Sequence, residues 1–284
     1  MGIKGKDIDD GLALLYLLGR LDIELEGVTT TYGNGSIEEV NESTKTLLKS
    51  LGIYDVPLIK GSGSPRNRIS PASRFLARKA KETSNTLTIL GTGSLSNLYG
   101  AFLYDNSFFS NVLEFVLMGG ITESLIINGK NLDELNFSID PEAAYAVLSS
   151  GAKITVLTGN FCLQALFNKR QQKIFLSKPI YTYVEHSITE WNRFFTGEFG
   201  TDGFYIWDVV AAVYSTSPHL FESRTEIIVS KEADLHSGFL NIHRSQGGTV
   251  SAGGFALNIP QRIKSPAEFW KTLFDSWGQI TYPI

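Results

Sequence analysis

The sequence has few of the residues on which several protein classes depend. It contains a single cysteine, Cys162, and its four histidines are scattered along the chain. An internal disulfide is therefore excluded, and a zinc site built from paired Cys and His ligands is not expected. A lone cysteine is typical of a reducing compartment, where it commonly acts as a small apolar core residue.

The chain also lacks an excess of basic residues and any long apolar run. It has 25 Lys and Arg against 29 Asp and Glu, a formal net charge of −4, whereas nucleic-acid-binding proteins usually present a basic face. No basic-then-apolar leader opens the sequence, and no apolar run reaches the roughly 18 residues of a membrane span. We therefore expect a soluble, cytoplasmic protein with neither a nucleic-acid nor a membrane partner.

The residues that are present fit one globular domain. The 284 residues are 43% hydrophobic and 19% charged, which is enough apolar material for one large core. Short apolar runs alternate with helix-like segments, the pattern of βα units around a parallel sheet. The sequence predicts a single α/β domain over residues 1–284, with a doubly wound, mostly parallel sheet.

The positions of the elements follow from the same pattern. Strands are predicted at 24–33, 56–61, 86–93, 114–120, 152–160 and 225–230. Helices are predicted at 8–21, 36–52, 94–104, 141–151, 209–216 and 265–280, and the segment 61–73 is predicted to be a surface loop. In a doubly wound fold a strand precedes the first helix, yet only MGIKGKD stands there. The expected first strand is missing or lies outside this chain.

Polar side chains follow the predicted strands at the edge of the sheet where ligands bind in this fold class. These residues are Asn34 after the first run, Thr92 after the third, and Asn128, Glu134 and Asn136 after the fourth. Asp9 and Asp10 begin the first helix, and Asp208 opens the helix at 209–216. Carboxylate, amide and backbone oxygens together suit a hard cation and a polyhydroxyl ligand.

Each of these residues also has a simpler interpretation. An aspartate at a helix N-terminus is commonly a cap that interacts with the helix dipole, and loop amides are commonly solvated. Two adjacent carboxylates repel each other, however, so the pair Asp9–Asp10 calls for an explanation beyond capping, such as a cation.

Several segments, in order along nearly the whole chain, resemble those of the inosine–uridine-type nucleoside hydrolase family. They are DIDDGLALL (7–15), TTTYGN (29–34), LGTGSLSN (90–97), VLMGG (116–120), NGKNLDELNFSIDPEAA (128–144), WDVVAAVYSTSPHLF (207–221) and EFWKTLFDSW (268–277). The aspartate pair and the E-x-N-x-x-x-D-P-E-A-A block are the specific parts of this resemblance.

The resemblance implies a function and a set of site residues. Members of the family cleave the N-glycosidic bond of nucleosides with one bound calcium ion and tend to form dimers and tetramers. The implied metal ligands are Asp10, the backbone carbonyl of Thr92 and Asp208. The implied substrate contacts are Asp9, Asn34, Asn128, Glu134, Asn136 and Trp207. Such a site would fix the ribose and favour an oxocarbenium-like transition state.

The chain departs from the family pattern at the general base. The aspartate that would activate water stands four residues before the aspartate pair in the family, and counting back from Asp9 gives Gly5. Either the chain has lost its base, or Met1-Gly2 corresponds to the family's Pro-Gly step and the aspartate lies upstream. Asp7 is a third candidate, two residues out of register. Without a base we expect activity about two to four orders of magnitude lower.

Two further departures concern the substrate side of the pocket. Trp207 stands where many members carry His; it either stacks on a purine, as in a purine-specific branch, or fills the core. The segment 61–73 has no counterpart of the family's His-Gly lid, although Arg66 and Arg68 could contact a ligand.

Three hypotheses follow. The first is a calcium-dependent ribonucleoside hydrolase of nucleoside salvage, with a preference for purines. The second is a catalytically impaired homologue that binds ribonucleosides and calcium but lacks the base. The third is a chain too incomplete to fold stably, because an internal strand is missing.

Overall fold

The computed structural model describes residues 6–243 and 253–280. The strands of this part are β1 (Val28–Thr29), β2 (Leu58–Ile59), β3 (Thr88–Gly91), β4 (Glu114–Met118), β5 (Ile126–Ile127), β6 (Lys130–Asn131), β7 (Ile154–Leu157), β8 (Leu166–Asn168), β9 (Gly203–Tyr205), β10 (Phe221–Ile228) and β11 (Phe255–Ile263).

The same residues form helices on both sides of the main sheet. They are α1 (Asp9–Leu18), α2 (Ile37–Ser50), α3 (Pro71–Glu82), α4 (Ser96–Tyr104), α5 (Phe108–Asn111), α6 (Pro141–Leu148), α7 (Gly159–Cys162), α8 (Lys169–Phe175), α9 (Tyr181–Phe199), α10 (Trp207–Thr216), α11 (Glu232–Leu235) and α12 (Pro266–Gln279), with a 3₁₀ turn at Pro218–Leu220. None of the helices in the described ranges has the length and apolar composition needed to cross a membrane.

The main sheet has five strands in the order β10-β11-β7-β4-β3. The pairs β3–β4, β4–β7 and β7–β11 are parallel, and β10 joins β11 as an antiparallel edge strand. Strands β4 and β7 read EFVLM and ITVL and are almost entirely buried, as a strand covered by helices on both faces requires. The predicted mostly parallel α/β sheet is confirmed.

Strands β1 and β2 form a separate parallel pair. Strand β1 does not pair with β3, although residues of both strands line the same cavity. Residues 6–8 enter α1 without forming a strand, so among the described residues no strand lies between β1 and β3. Met1–Gly5 lie outside the described residues. The main sheet therefore ends at β3 rather than continuing into β1.

The core consists of two hydrophobic clusters, each containing residues of the main sheet. One includes α1, α10 and α12, and the other includes α3, α4 and α6. The predicted terminal helix packs as expected, because the Trp277 indole is buried and donates to the carbonyl oxygen of Leu12 at 3.1 Å. Cys162 is buried in the first cluster, and burial raises the pKa of its thiol well above the usual value. The expectation of a core cysteine is confirmed.

Some predicted boundaries were wrong, for identifiable reasons. The predicted loop at 61–73 ends earlier, because Ser70 caps α3 and Pro71 occupies its first turn, where proline fits well. The predicted strand at 225–230 begins at Phe221 and pairs along its length with β11. Both β11 and the 19-residue α9 escaped prediction, since Asn258 and Pro260 interrupt the first and mixed aromatic and polar residues obscure the second.

Candidate active site

Two helix N-termini bring three aspartates together. Asp9 and Asp10 open α1, Asp208 is the second residue of α10, and the two helices belong to the same hydrophobic cluster. The Asp9 carboxylate accepts hydrogen bonds from the backbone N–H groups of Asp10, at 3.1 Å, and of Asp208, at 3.0 Å. Asp9 therefore links the starts of both helices, where the helix dipoles favour negative charge.

These carboxylates carry more negative charge than their surroundings neutralise. Burial, followed by repulsion from Asp10, raises the pKa of Asp9 to about 6, and burial raises the pKa of Asp208 well above its usual value. No lysine or arginine of the described residues forms an ion pair with Asp9, Asp10 or Asp208. Such clustering is costly unless a cation is bound or protons are retained.

The donor set fits a metal ion. One carboxylate oxygen from each of Asp9, Asp10 and Asp208 can be chosen so that all three lie within 4.8 Å of one another. Asp9 and Asp208 are buried and Asp10 is half-buried, so the group is open to a ligand on one side. Hard cations prefer carboxylate oxygens, and the three aspartates could hold such an ion.

Asp7 adds a fourth carboxylate beside this group. Its Oδ1 accepts a hydrogen bond from the Asp9 N–H at 3.2 Å. Burial and repulsion from Asp9 raise the pKa of Asp7 well above its usual value. Gly5, the residue in register with the family's base, lies outside the described residues.

A cavity of about 550 Å³ opens at the aspartate group. Four residues predicted from the sequence line it: Asp10, Asn34, Thr92 and Asn136. The Thr92 hydroxyl donates to Asp10 Oδ1 at 2.8 Å, and the Asn136 amide donates to the carbonyl oxygen of Met118 at 3.0 Å. The cavity includes the gap between β1 and β3, where the described residues place no strand, and it reaches the candidate site at these four residues.

Four predicted substrate contacts do not line this cavity in the described part of the chain: Asp9, which links the two helix N-termini, and Asn128, Glu134 and Trp207. Asn128 lies in the turn between β5 and β6 and donates to the carbonyl oxygen of Phe199 at 2.8 Å. The Glu134 carboxylate accepts from three backbone N–H groups, of Gly120, Phe137 and Ser138. Their substrate roles stay predictions.

Trp207 is the last of these residues. It is the first residue of α10 and is buried in the core, with its ring centroid 5.1 Å from that of Tyr205. Between the two interpretations offered by the sequence, this position corresponds to core packing, and the stacking role stays a prediction.

The sequence assigned no role to Tyr32 and Thr31, and it did not predict the partner of Arg68. Tyr32 and Thr31 line the cavity, and the Thr31 hydroxyl is buried without a hydrogen-bond partner among the described residues. Arg68 lies away from the solvent and pairs with Asp140, which also caps α6. The D-P-E string at 140–142 was a usable signal for the cap, since Asp followed by Pro commonly starts a helix. No spacing rule connects Arg68 to it.

Comparison with known proteins gives a family-level match. Residues 4–267 match the family model described as inosine-uridine preferring nucleoside hydrolase. Uridine nucleosidase 1 of Arabidopsis thaliana is 34% identical over 185 residues, which is 55% of this chain and 55% of that protein. The match therefore spans little more than half the length of that relative.

Solved structures share the fold. A plant nucleoside hydrolase superposes with a TM-score of 0.84 at 20% identity, covering 96% of each chain. A purine-preferring ribonucleoside hydrolase from Gardnerella vaginalis superposes with a TM-score of 0.80 at 20% identity, covering 97% of this chain and 96% of that one. At this identity the likeness establishes a common fold and carries no residue roles.

Proposed function

Because this chain belongs to the inosine-uridine preferring nucleoside hydrolase family, we propose that it hydrolyses the N-glycosidic bond of ribonucleosides to ribose and free base. The observation that carries this proposal is the group of three aspartates with carboxylate oxygens within 4.8 Å of one another, of which Asp10 lines the cavity. In the described residues this group has no basic partner, which favours a ligand-binding role over a structural one.

We propose calcium as the ion held by this group. Asp10 and Asp208 would be ligands through their carboxylates, and Thr92 through its backbone carbonyl oxygen. All are hard oxygen donors, which is the ligand type that calcium prefers. When bound, a cation of this kind supplies positive charge that orients sugar hydroxyls and lowers the pKa of a bound water.

The ribose would be held by Asp9, Asn34 and Asn136. A carboxylate and two amides can pair with the donors and acceptors of adjacent hydroxyl groups, and such contacts strengthen as the sugar ring gains positive charge. Asn128 and Glu134 are proposed as further substrate contacts on the family resemblance alone.

Hydrolysis also needs a proton acceptor for water. We propose Asp7 for this role, since its carboxylate adjoins Asp9. Asp7 would take a proton from the water as the water oxygen bonds to C1′, the bond from C1′ to the base nitrogen would break with its electron pair passing to the base, and the base would take up a proton from solvent. Positive charge nearby would lower the pKa of Asp7 and keep it ionised.

Finer points complete the proposal. We propose that purine nucleosides are the better substrates, because a purine offers the larger face for stacking. We also place the enzyme in nucleoside salvage in the cytoplasm, which its single cysteine suits. A homodimer or homotetramer is the proposed assembly.

Release of free base from inosine, guanosine and uridine tests the proposal. We expect turnover with calcium, none in excess chelator, and a rate about 100-fold or more lower in Asp7→Asn. Asp55→Asn, at an exposed aspartate away from the cavity, is the control and should behave as the wild type. Binding of nucleosides without base release would instead support the non-catalytic alternative. Absence of both binding and release would contradict the proposal.

A further inference from the structure

The cavity is lined in part by aromatic side chains to which the family resemblance assigns no role. Among the described residues that line it, only Tyr32 and Phe75 are aromatic. Phe75 belongs to α3 and lies against Gly27, at β1. Tyr32 stands two residues before Asn34 in the loop that follows β1, at the carboxyl end of the strand, where ligands bind.

Tyr32 lines the cavity at the same end as Asn34 and Thr92. The described residues place no other aromatic ring and no cationic side chain against it, in contrast to Trp207, which packs against Tyr205. Tyr32 is half-buried, so its ring is partly covered by protein and partly open to the cavity. A planar, partly desolvated ring is a typical stacking surface for a nucleobase.

The hydroxyl of Tyr32 is held by hydrogen bonds of defined direction. It lies 3.1 Å from Ser96 Oγ, and Ser96 Oγ donates its own proton to Asp140 Oδ2 at 2.5 Å. Because Ser96 gives its one proton to Asp140, Ser96 can only accept from Tyr32, and the Tyr32 hydroxyl also donates to the carbonyl oxygen of Ile139 at 3.4 Å. Asp140 therefore fixes Tyr32 through Ser96.

Arg68 in turn fixes Asp140. Its guanidinium donates to both oxygens of the Asp140 carboxylate, at 3.0 and 2.7 Å, and lies over the Tyr99 ring at 5.2 Å. The backbone at Arg68 also packs closely on α4, since a Cβ on Gly100 would overlap the Arg68 carbonyl oxygen. We call Arg68, Asp140 and Ser96 the Arg68 network. A bidentate arginine pair is rigid, so the network holds Tyr32 in one position.

We propose that Tyr32 is the contact for the nucleobase and that the Arg68 network positions its ring. The inference rests on the proposed function and extends it to the recognition of the base. In this account the aspartate group binds the ribose end of the ligand, and Tyr32 binds the aromatic end.

Binding of inosine and of free ribose separates these two ends. With calcium present, Tyr32→Leu should weaken inosine binding by about 5- to 150-fold, the range for the loss of one stacking contact, and leave ribose binding unchanged. Tyr32→Phe keeps the ring but loses its tether, so a smaller loss of about 2- to 10-fold is expected. Calorimetric titration measures the wild type and both variants, and a thermal melt verifies folding.

The outcomes distinguish this inference from the proposed function. If the wild type binds inosine and Tyr32→Leu binds it equally well, the inference is overturned while the proposed function stands. An equal loss of inosine and ribose binding in Tyr32→Leu would also overturn it, since the change would then have damaged the whole site. A wild type that neither binds nor hydrolyses inosine would overturn both.

A double-mutant cycle tests the positioning role of the network. Ser96→Ala should raise KM for inosine by about 2- to 10-fold with little change in kcat, because the ring loses its tether. In the Tyr32→Phe background the same change should have no further effect, since the hydrogen bond is already absent. An effect of Ser96→Ala that is equal in both backgrounds would show that Ser96 acts on the fold and would refute the positioning role.

Discussion

The aspartate group (Asp9, Asp10 and Asp208) and Asp140 differ in how their negative charge is balanced. Asp9 and Asp208 are 3% and 4% exposed, and Asp140 is 1% exposed, so burial does not distinguish them. Asp140 has a bidentate arginine partner, whereas the donors to the aspartate group in the described residues are backbone N–H groups and the Thr92 hydroxyl. The charge of Asp140 is balanced by a cationic side chain, and that of the aspartate group is not balanced by any described cationic side chain.

This difference shows which acids belong to the fold and which to the site. Glu134 resembles Asp140, since three backbone N–H groups surround its carboxylate. Desolvating a carboxylate is acceptable where such donors or a cation compensate it. The aspartate group has two backbone N–H donors and one hydroxyl for three carboxylates and no cationic side chain in the described residues, which is why we assign it a cation and a substrate. The following changes test the contrast, from the largest expected effect to the smallest.

Replacing Arg68, the cationic partner of Asp140, should have the largest effect on stability. We expect Arg68→Met to lower the free energy of unfolding by about 3–5 kcal/mol, because the buried Asp140 loses its partner. Urea unfolding measures the change. Arg66→Met is the matched control: Arg66 is exposed on the same loop, and a change within about 0.5 kcal/mol is expected there. Equal effects of the two substitutions would contradict the assignment of Arg68 as the partner that balances the charge of Asp140.

The unbalanced group should make stability depend on pH. The pKa of Asp9 is raised from 3.8 to about 6, so the folded protein binds this proton more tightly than the unfolded chain. The resulting stabilisation is present below pH 3.8 and is lost as pH rises through about 6. In chelator we expect a loss of about 3 kcal/mol from this group over that range. Comparing urea unfolding of the wild type with Asp9→Asn isolates it; identical pH profiles would refute the assignment.

Calcium binding should restore the stability that the aspartate group loses as the pH rises. A ligand that binds only the folded state at about 100 times its Kd adds about 2.7 kcal/mol of stability. We expect this gain in the wild type and in the control Asp55→Asn, and less than about 1 kcal/mol in Asp208→Asn at the same concentration. Thermal melts with and without calcium measure it. A full gain in Asp208→Asn would remove that residue from the ion site.

The smallest effect on stability is expected at Glu142, an exposed carboxylate that also pairs with Arg68. The Glu142 side chain is 52% exposed, and it contacts Arg68 at 2.8 Å. Because solvent screens such pairs, Glu142→Gln should cost less than about 1 kcal/mol in urea unfolding. A loss as large as that of Arg68→Met would mean that the buried pair is not the dominant one.

The sequence predicted one of these two groups and not the other. Asp9, Asp10 and Asp208 are recognisable because each starts an apolar helix and matches a family segment. The pair Arg68–Asp140 joins residues 72 positions apart, and no local periodicity or motif places a loop arginine beside a helix cap. Long-range side-chain partners depend on how loops pack, which a single sequence does not encode in a readable pattern.

The same limit explains the outcome for the other site residues and elements. Asn34, Thr92 and Asn136 were predicted from strand ends, and these residues do line the cavity, because the ends of parallel strands meet at one edge. The direction of the Glu134 and Trp207 side chains depends on tertiary packing. Strand β11 and helix α9 carry weak local patterns and are stabilised by their neighbours in the sheet and core.

Calorimetric titration of calcium into chelator-treated protein at pH 6 tests the central claim most directly. We predict one saturable site per chain, with proton release on binding, because Asp9 has a pKa of about 6 and a cation displaces its proton. Asp10→Asn and Asp208→Asn should each abolish or strongly weaken the binding. Absence of saturable binding to the wild type, or binding that survives both substitutions, would contradict the account.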